Sequence, residues 1–276
     1  MKLSVLPVSL FQTITGGQMS IAGWAQEAQR LGVDGFDVST MFFQNHTATY
    51  IRQVLDEMQE KQIHIQPTMV CSYPDFTNPD TLERERQIDY FNRDIALSSK
   101  FGFQFLRITA GQNHPGLTLE QGADYAAECF ARVLPTAEKY GIRLVFENHS
   151  KPGAWPLIDF SFRPEAFLAV FERIRELNIG VNFDTANAVA CGADAAKLLE
   201  TVADKVWTVH LNETATVGKW SPALLGTGLV NFDEIFGVLD RHHYDGWVCI
   251  EEASGQGLEG IEKAVSFARR YVKKGG

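Results

Sequence analysis

The sequence has few of the residues that would place it among disordered, nucleic-acid-binding or membrane proteins. Only 10 of its 276 residues are proline, and it contains no low-complexity tract, so we do not expect a long disordered segment. Lys and Arg number 25 against 34 Asp and Glu, which gives a net charge of −9. Phosphate contacts need clustered cationic side chains, so this balance argues against a nucleic-acid or anionic-membrane partner. No apolar run reaches the length of a membrane span.

Cysteine is also scarce. The four cysteines are widely spaced and form no CxxC pair: Cys71, Cys129, Cys191 and Cys249. This spacing argues against a zinc finger and against a disulfide framework. The N-terminal segment MKLSVLPVSLF contains Pro7 and is followed by no small-residue cleavage site, so we interpret it as a strand rather than as a signal peptide. We therefore expect a cytoplasmic protein with reduced thiols.

Apolar runs alternate along the whole chain with longer segments of helical period, and 45% of the residues are hydrophobic. This alternation is typical of repeated βα units around a parallel sheet. The predicted strands are Leu3–Leu10, Gly35–Val38, His64–Val70, Phe105–Thr109, Leu144–Asn148, Gly180–Asp184, Val206–Leu211 and Trp247–Glu251. The predicted helices are Ser20–Leu31, Thr47–Lys61, Asp80–Phe101, Leu119–Tyr140, Pro164–Leu177, Asp194–Ala203, Phe232–Asp240 and Leu258–Val272.

Eight such units predict an α/β fold, a single (β/α)₈ TIM barrel that occupies residues 1–276 as one domain. A doubly wound open sheet is the main alternative, but no Gly-rich phosphate loop follows the first strand. Local chemistry supports several boundaries. Pro164 suits a first helical position, Asp80 and Asp194 suit N-caps, and four glycines suit the turns between helix and strand: Gly32, Gly102, Gly141 and Gly246.

Four potential metal ligands lie at the C-terminal ends of separate predicted strands: Glu147, Asp184, His210 and Glu251. In a parallel barrel these ends meet on one face, where barrel enzymes carry their active sites. Three carboxylates and one imidazole suit a single divalent metal ion, with Mn²⁺ the first choice and Co²⁺, Mg²⁺ or Zn²⁺ as alternatives. The competing interpretation of any single acidic residue is that it caps a helix or pairs with Arg107 or Lys219.

The motifs around these residues are VFENH, NFDTANA, VHLNE, LGTGLVNFDEI and GWVCIEEA. In this order they resemble the xylose isomerase-like TIM barrels, which include sugar isomerases, ketose 3-epimerases, hydroxypyruvate isomerases, inosose isomerases and dehydratases, and endonuclease IV. The resemblance implies that Glu147, Asp184, His210 and Glu251 hold one metal ion. It also implies that Glu147 and Glu251 are the catalytic acid/base pair. The reaction so implied is proton abstraction next to a carbonyl, through a metal-stabilised enediolate.

Four classes of function are considered for such a barrel. The first is an isomerase or epimerase that acts on a sugar, keto-sugar or cyclitol, and the alternative is an inosose-type dehydratase, a lyase with the same metal and bases. Endonuclease IV-like cleavage of phosphodiesters is disfavoured, because it needs a histidine-rich multinuclear zinc site and a basic groove. An inactive sugar-binding barrel is disfavoured by the complete ligand set. The expected partner is a small sugar or cyclitol, and the resemblance is compatible with a homo-oligomer.

Further residues are predicted to contact the substrate. Arg107 at the end of the fourth strand suits a hydroxyl, carboxylate or phosphate, and His149 follows Glu147 by two positions, although a structural histidine is an equal alternative. Asn187 stands where many relatives carry His, which argues for a different substrate or pose. Glu213 resembles an acidic residue that relatives place near the metal; the alternative is a solvated loop charge.

Two predicted substrate contacts lie in the long loops after the fifth and seventh strands. Trp155 occurs in GAWP, and Lys219 precedes a tryptophan in GKW. An aromatic ring that packs against the C–H face of a sugar, together with a nearby lysine, would suit a loop that covers the pocket. Packing of one loop against the next is the competing interpretation.

Overall fold

Eight parallel strands alternate with helices in the computed structural model, which describes residues 1–150 and 156–273. The strands are β1 (Lys2–Leu6), β2 (Gly35–Ser39), β3 (Gln66–Cys71), β4 (Phe105–Ile108), β5 (Arg143–Glu147), β6 (Gly180–Asp184), β7 (Val206–Leu211) and β8 (Trp247–Glu251). They form one sheet in the order β1-β8-β7-β6-β5-β4-β3-β2. The predicted TIM barrel is confirmed.

The barrel is closed at seven of its eight strand contacts by parallel ladders. At the remaining contact, between β1 and β2, two hydrogen bonds join the strands just before β2 begins. The Asp34 backbone N–H donates to the Leu3 carbonyl at 2.7 Å, and the Leu3 backbone N–H donates to the Asp34 carboxylate at 2.8 Å. The eight strand ends therefore face one side of a nearly closed barrel.

The helices surround the sheet. They are α1 (Phe11–Thr15), α2 (Ile21–Arg30), α3 (Ala48–Glu60), α4 (Thr81–Lys100), α5 (Leu119–Tyr140), α6 (Pro164–Ile174), α7 (Thr185–Ala190), α8 (Ala195–Val202), α9 (Phe232–Arg241) and α10 (Gly257–Ala268). None of the described helices is long and apolar enough to cross a membrane.

The predicted helix boundaries are confirmed where side chains cap them. Asp80 accepts from the Leu82 backbone N–H at 2.8 Å, Asp194 accepts from that of Lys197 at 3.0 Å, and Pro164 opens α6. Three of the four predicted turn glycines, Gly32, Gly102 and Gly141, have positive φ. Gly246 also lies in a bend directly before β8, but its φ is not positive; a Cβ at this position would stand 2.6 Å from the Tyr244 hydroxyl.

The structure differs from the prediction at several element boundaries and in short helices outside the predicted set. The first strand ends at Leu6 rather than Leu10, because Pro7 has no N–H to continue the ladder and residues 8–10 turn into a 3₁₀ helix before α1. The short helix α7 was not predicted. It begins at Thr185, directly after β6, where the Asp184 side chain caps it.

Side chains alternate across each strand and so divide into two layers. Outward-facing residues such as Leu144, Phe146 and Val209 pack against the helices in one large core cluster. Inward-facing apolar residues, including Phe105 and Val145, form a smaller cluster inside the barrel. The next inward positions toward the C-terminal end of the strands carry the polar side chains of the candidate site.

Candidate active site

The four predicted ligands come together at the C-terminal end of the barrel. Glu147, Asp184, His210 and Glu251 end or nearly end β5, β6, β7 and β8, and each offers a ligand atom within 4.8 Å of the others. All four side chains are buried. The parallel register explains the convergence, because Asp184 pairs with His210 and both side chains then point to the same side of the sheet.

Glu147 contacts three polar side chains in and around this cluster. One carboxylate oxygen lies 2.7 Å from His210 Nδ1 and accepts from Asn182 Nδ2 at 3.0 Å. The other oxygen lies 3.1 Å from Arg107 Nη1. His210 Nδ1 also lies 3.2 Å from a Glu251 carboxylate oxygen. One imidazole nitrogen thus faces two of the carboxylates.

Asp184 is held by backbone and amide groups. Its carboxylate accepts from the Asn187 backbone N–H at 2.6 Å and from Asn212 Nδ2 at 3.2 Å. Asn148 bonds both the backbone N–H and the carbonyl of Asp184, each at 2.8 Å. These contacts fix the carboxylate while leaving lone pairs for a further partner, because a carboxylate can accept about four hydrogen bonds.

The electrostatics show that the cluster requires positive charge. Burial alone would raise the pKa of Glu147, but the charges of Arg107 and His210 hold it well below its usual range. Burial would likewise lower the pKa of His210, but Glu147 raises it to about 10. Three buried carboxylates at this separation repel one another unless a cation lies among them. A divalent metal ion suits the site chemically and would leave the imidazole neutral.

Several buried nitrogen atoms around the cluster have no hydrogen-bond partner among the described residues. They are Arg107 Nε, His149 Nε2 and Asn187 Nδ2. An unpaired buried polar group costs about 1–3 kcal/mol, so such groups mark places where a ligand supplies the partner. Arg107, His149 and Asn187 were all predicted to bind substrate, and the structure brings them to the mouth that holds the four predicted ligands.

The contacts of His149 introduce a residue that the sequence did not indicate. Its Nδ1 lies 3.1 Å from an Asp159 carboxylate oxygen, and the other oxygen of Asp159 accepts from the Ser161 backbone N–H at 2.7 Å. Both side chains are fully buried. Asp159 therefore orients the imidazole so that Nε2 is the free nitrogen. It escaped prediction because it lies in a loop with no periodic pattern.

The remaining predicted contacts belong to the loop after β7 or lie outside the described residues. The Glu213 carboxylate accepts from the backbone N–H groups of Thr214 and Val230 at 3.0 Å and of Gly226 at 3.2 Å, so it pins its own loop. Burial raises the pKa of Glu213. Lys219 is exposed in the same loop. Trp155 lies outside the described residues. Substrate contacts by these three residues stay predictions.

Two polar side chains that the sequence did not single out also help to build the site. Asn182 donates to Glu147 and accepts from Thr208 Oγ1 at 2.7 Å, inside the barrel. Tyr73 lies at the end of β3, with its ring centroid 4.7 Å from Arg107 Cζ and 6.5 Å from the His149 ring. The period-2 pattern could have indicated Asn182, two residues before Asp184, as an inward-facing residue.

Known proteins resemble the chain both in sequence and in structure. An inosose dehydratase of Clostridium beijerinckii is 22% identical over 154 residues, and that match spans 50% of this chain and 49% of the relative. The crystal structure of a D-tagatose 3-epimerase-like protein has a TM-score of 0.77 at 16% identity and covers 98% of this chain and 97% of its own. The IolI protein with a bound zinc atom also has a TM-score of 0.77 at 16% identity, with coverages of 99% and 100%.

The structural likenesses, at such low identity, establish the fold. A family match extends further along the sequence. The sequence model of the xylose isomerase-like TIM barrel family matches residues 25–271, which include all eight strands except β1 and all four residues of the acidic and histidine cluster. The chain therefore belongs to the xylose isomerase-like TIM barrel family.

Proposed function

We propose that this protein is a divalent-metal-dependent isomerase or epimerase that acts on a sugar, keto-sugar or cyclitol by moving a proton next to a carbonyl. The observation that carries the proposal is the cluster of Glu147, Asp184, His210 and Glu251, whose ligand atoms lie within 4.8 Å of one another. The family and its epimerase-like and dehydratase relatives support a small polyhydroxylated substrate. The residues form a single domain in this proposal, because all eight strands belong to one sheet.

The four clustered residues would hold the metal ion, with Mn²⁺ the first choice for a site of three carboxylates and one imidazole. When bound, such a cation stabilises the negative charge that develops on the substrate oxygens as the proton leaves, in the manner of an enediolate. Asp184 and His210 serve only as ligands in this proposal. Asn182 and Asn148 keep the ligands oriented, as outer hydrogen bonds do in metal sites.

Glu147 and Glu251 are the proposed proton-transfer pair. They end strands β5 and β8, which are not neighbours in the barrel, so their carboxylates approach the centre of the mouth from different directions. Both contact His210 Nδ1. One carboxylate would take the proton from carbon, and the other would return it. Return to the same carbon from the opposite face gives epimerisation, and return to the neighbouring carbon gives isomerisation.

Arg107, His149 and Asn187 are proposed to bind the substrate hydroxyl or carbonyl oxygens with their unpartnered nitrogens. Arg107 pairs with Glu147, so it would also couple the position of the substrate to that of the base. Asp159 would accept from Nδ1 of His149 and leave Nε2 to face the substrate. None of these groups needs a phosphate on the substrate.

A dehydratase is the second candidate, because one sequence relative is an inosose dehydratase. It would begin with the same proton abstraction, after which the protonated carboxyl would give a proton to the β-hydroxyl, which leaves as water. His149 would suit the departing hydroxyl, because its ring is oriented by Asp159 and its Nε2 is free.

Solvent-deuterium incorporation tests the proposal. The protein, with Mn²⁺ added, is incubated in deuterated buffer with a panel of ketoses, aldoses and inososes, and the products are analysed by NMR and mass spectrometry. We expect deuterium at the carbon next to a carbonyl, lost after EDTA treatment and in Glu251→Gln. Glu252→Gln is the matched control, because its carboxylate oxygen accepts from the Ser254 backbone N–H instead of joining the cluster.

The outcomes separate the candidates. Deuterium in a product of unchanged mass, apart from the label, supports isomerase or epimerase chemistry. A product lighter by one water assigns the dehydratase reaction instead. Exchange that survives both chelation and the Glu251→Gln substitution would contradict the proposed metal and base.

A further inference from the structure

A cavity adjoins the candidate active site, and the aromatic ring of Tyr73 lies between the two. It has a volume of about 190 Å³ and lies between helix α4 and the loops that follow β2 and β3. Tyr73 lines this cavity, and the same ring lies 4.7 Å from Arg107 Cζ and 6.5 Å from the His149 ring. Arg107 in turn contacts Glu147. The Tyr73 side chain therefore separates the cavity from residues that contact the cluster.

The lining of this α4 cavity combines apolar surface with polar groups. Tyr73 and Tyr90 contribute aromatic rings, and Met41 lies at its edge. Tyr90 and Met41 are 46% and 49% exposed, which is unusual for two large apolar side chains around one cavity. Gln87 and Asp94 contribute polar groups from the same helix. A sugar ring has an apolar C–H face and polar hydroxyls. Aromatic rings can pack against the C–H face, and carboxyl and amide groups can bind the hydroxyls.

The carboxyl of Asp94 lacks a protein partner. It forms no hydrogen bond or ion pair with any described residue, although its backbone carbonyl accepts from Ser98 Oγ at 2.7 Å. Burial raises the pKa of Asp94 to about 7, so near neutral pH both forms are populated. Such a group can accept from one hydroxyl and donate to another. This carboxyl is partly buried, lines the cavity and is available to a ligand there.

Gln87 has a free donor beside this carboxyl. Its amide oxygen accepts from the Asp75 backbone N–H at 3.1 Å, and among the described residues its amide nitrogen has no partner. Gln87 and Asp94 are seven residues apart on α4, two helical turns, and both line the cavity. Together they offer a donor and an acceptor to opposite sides of a bound ring.

The charges around the aromatic rings argue against a cationic ligand. Aromatic rings with a carboxylate can bind ammonium groups, but here guanidinium groups already lie at the rings. Arg107 lies by Tyr73, and Arg86 and Arg93 lie 5.9 and 5.8 Å from the centroid of Tyr90. A further cation would be repelled by three positive charges, whereas a neutral hydroxylated group would not.

We propose that the α4 cavity binds the second sugar ring of a glycoside whose reacting ring lies at the cluster of Glu147, Asp184, His210 and Glu251. This inference rests on the proposed function and narrows its substrate class from single sugars to glycosides. The volume of about 190 Å³ is below the roughly 300 Å³ at which pockets for drug-sized ligands begin, so the cavity suits one ring rather than a longer chain.

The test compares equilibrium binding of disaccharides with that of glucose. Cellobiose, maltose and trehalose are titrated calorimetrically against the Mn²⁺-loaded protein, beside glucose. We expect at least one disaccharide to bind roughly tenfold or more tightly than glucose, the advantage that one hydrogen bond to a charged group gives. Asp94→Asn and Tyr90→Ala should each reduce that advantage several-fold and leave glucose binding unchanged.

Asp89→Asn is the matched control, because it removes an exposed carboxylate from the same helix. It should alter neither affinity. Three results would each overturn the inference. They are equal affinities for disaccharides and glucose, a disaccharide advantage that survives in both cavity variants, and no measurable binding of any sugar. Tight binding of tetramethylammonium that depends on Asp94 would also overturn it, by assigning the cavity to a cation.

Failure of the proposed function can be told apart from failure of this inference. Binding is measured without turnover, so a cavity-dependent disaccharide advantage supports the α4 cavity even if no sugar exchanges deuterium. Conversely, deuterium exchange on monosaccharides with no disaccharide advantage supports the catalytic proposal and refutes the cavity.

Discussion

Replacing Asp37 by asparagine should stabilise the protein at neutral pH and remove part of the pH dependence of its stability. Asp37 is fully buried inside the barrel, on β2. Its carboxylate accepts from the Met69 backbone N–H at 3.0 Å and from Ser4 Oγ at 2.8 Å. An asparagine can keep both bonds, because its oxygen accepts from Met69 and its nitrogen donates to the Ser4 hydroxyl, which is free to rotate.

The magnitude follows from the pKa. Burial raises the pKa of Asp37 from 3.8 to about 6, although the hydrogen bond from Ser4 and the charge of His210 oppose the change. The folded protein therefore holds this proton more tightly than the unfolded chain does. The contribution of Asp37 to stability is fully present below pH 3.8 and is lost as the pH rises through about 6. At about 1.4 kcal/mol for each pH unit in this window, the loss is at most about 3 kcal/mol.

The assay is urea denaturation of both proteins in EDTA between pH 4 and pH 8, with Asp56→Asn, an exposed carboxylate on α3, as the control. Asp37→Asn should match the wild type near pH 4 and exceed its free energy of unfolding by up to about 3 kcal/mol above pH 7. The control should follow the wild type at every pH. A variant that is less stable at pH 8, or a difference that does not change with pH, would refute the reasoning.

Further predictions concern the cluster and the packing of the barrel. Glu147→Gln should lower kcat by about 10²-fold or more, because a general acid or base contributes that much. Steady-state kinetics on the substrate found by deuterium exchange measures this change. A near-normal kcat would contradict the role of Glu147 in proton transfer. Asp184→Asn or His210→Ala should weaken metal binding roughly ten- to hundredfold or more. Metal content after dialysis against increasing concentrations of chelator measures this. Unchanged metal content would contradict the assignment of these two residues as ligands. Gly180→Ala should lower the free energy of unfolding by about 1–3 kcal/mol, because its Cβ would stand 2.1 Å from the indole of Trp207. Gly237→Ala, where the nearest atom is 3.8 Å away, should instead leave the unfolding free energy unchanged or raise it.

The repeated units were readable from the sequence because they depend on local patterns. The strands β6, β7 and β8 are short and rich in apolar residues, and their predicted ends agree with the structure. A buried parallel strand needs such a run wherever it lies in the barrel. Caps such as Asp80 were equally readable, because they satisfy backbone groups within the next three residues.

Local patterns failed where the chain turns at the ends of strands. The first strand stops at Leu6 although apolar residues continue to Leu10, and α7 begins directly after Asp184. In both places contacts between residues distant in sequence add to the local effects of Pro7 and of the Asp184 cap. The Ser9 backbone N–H donates to the Glu252 carbonyl at 2.9 Å, and the Asn212 carbonyl accepts from Thr185 Oγ1 at 2.8 Å.

The sequence by itself determined the barrel, its family and the four residues that converge at its mouth, because strand ends and residue types are local properties. Only the tertiary structure decided which groups face one another. Asp159 orients His149 across a loop, Tyr73 joins Arg107 to the α4 cavity, and the carboxyl of Asp94 lies in that cavity without a partner among the described residues. These relations join segments that no periodicity connects, since they arise from the packing of loops and helices around the barrel rather than from the pattern within any one element.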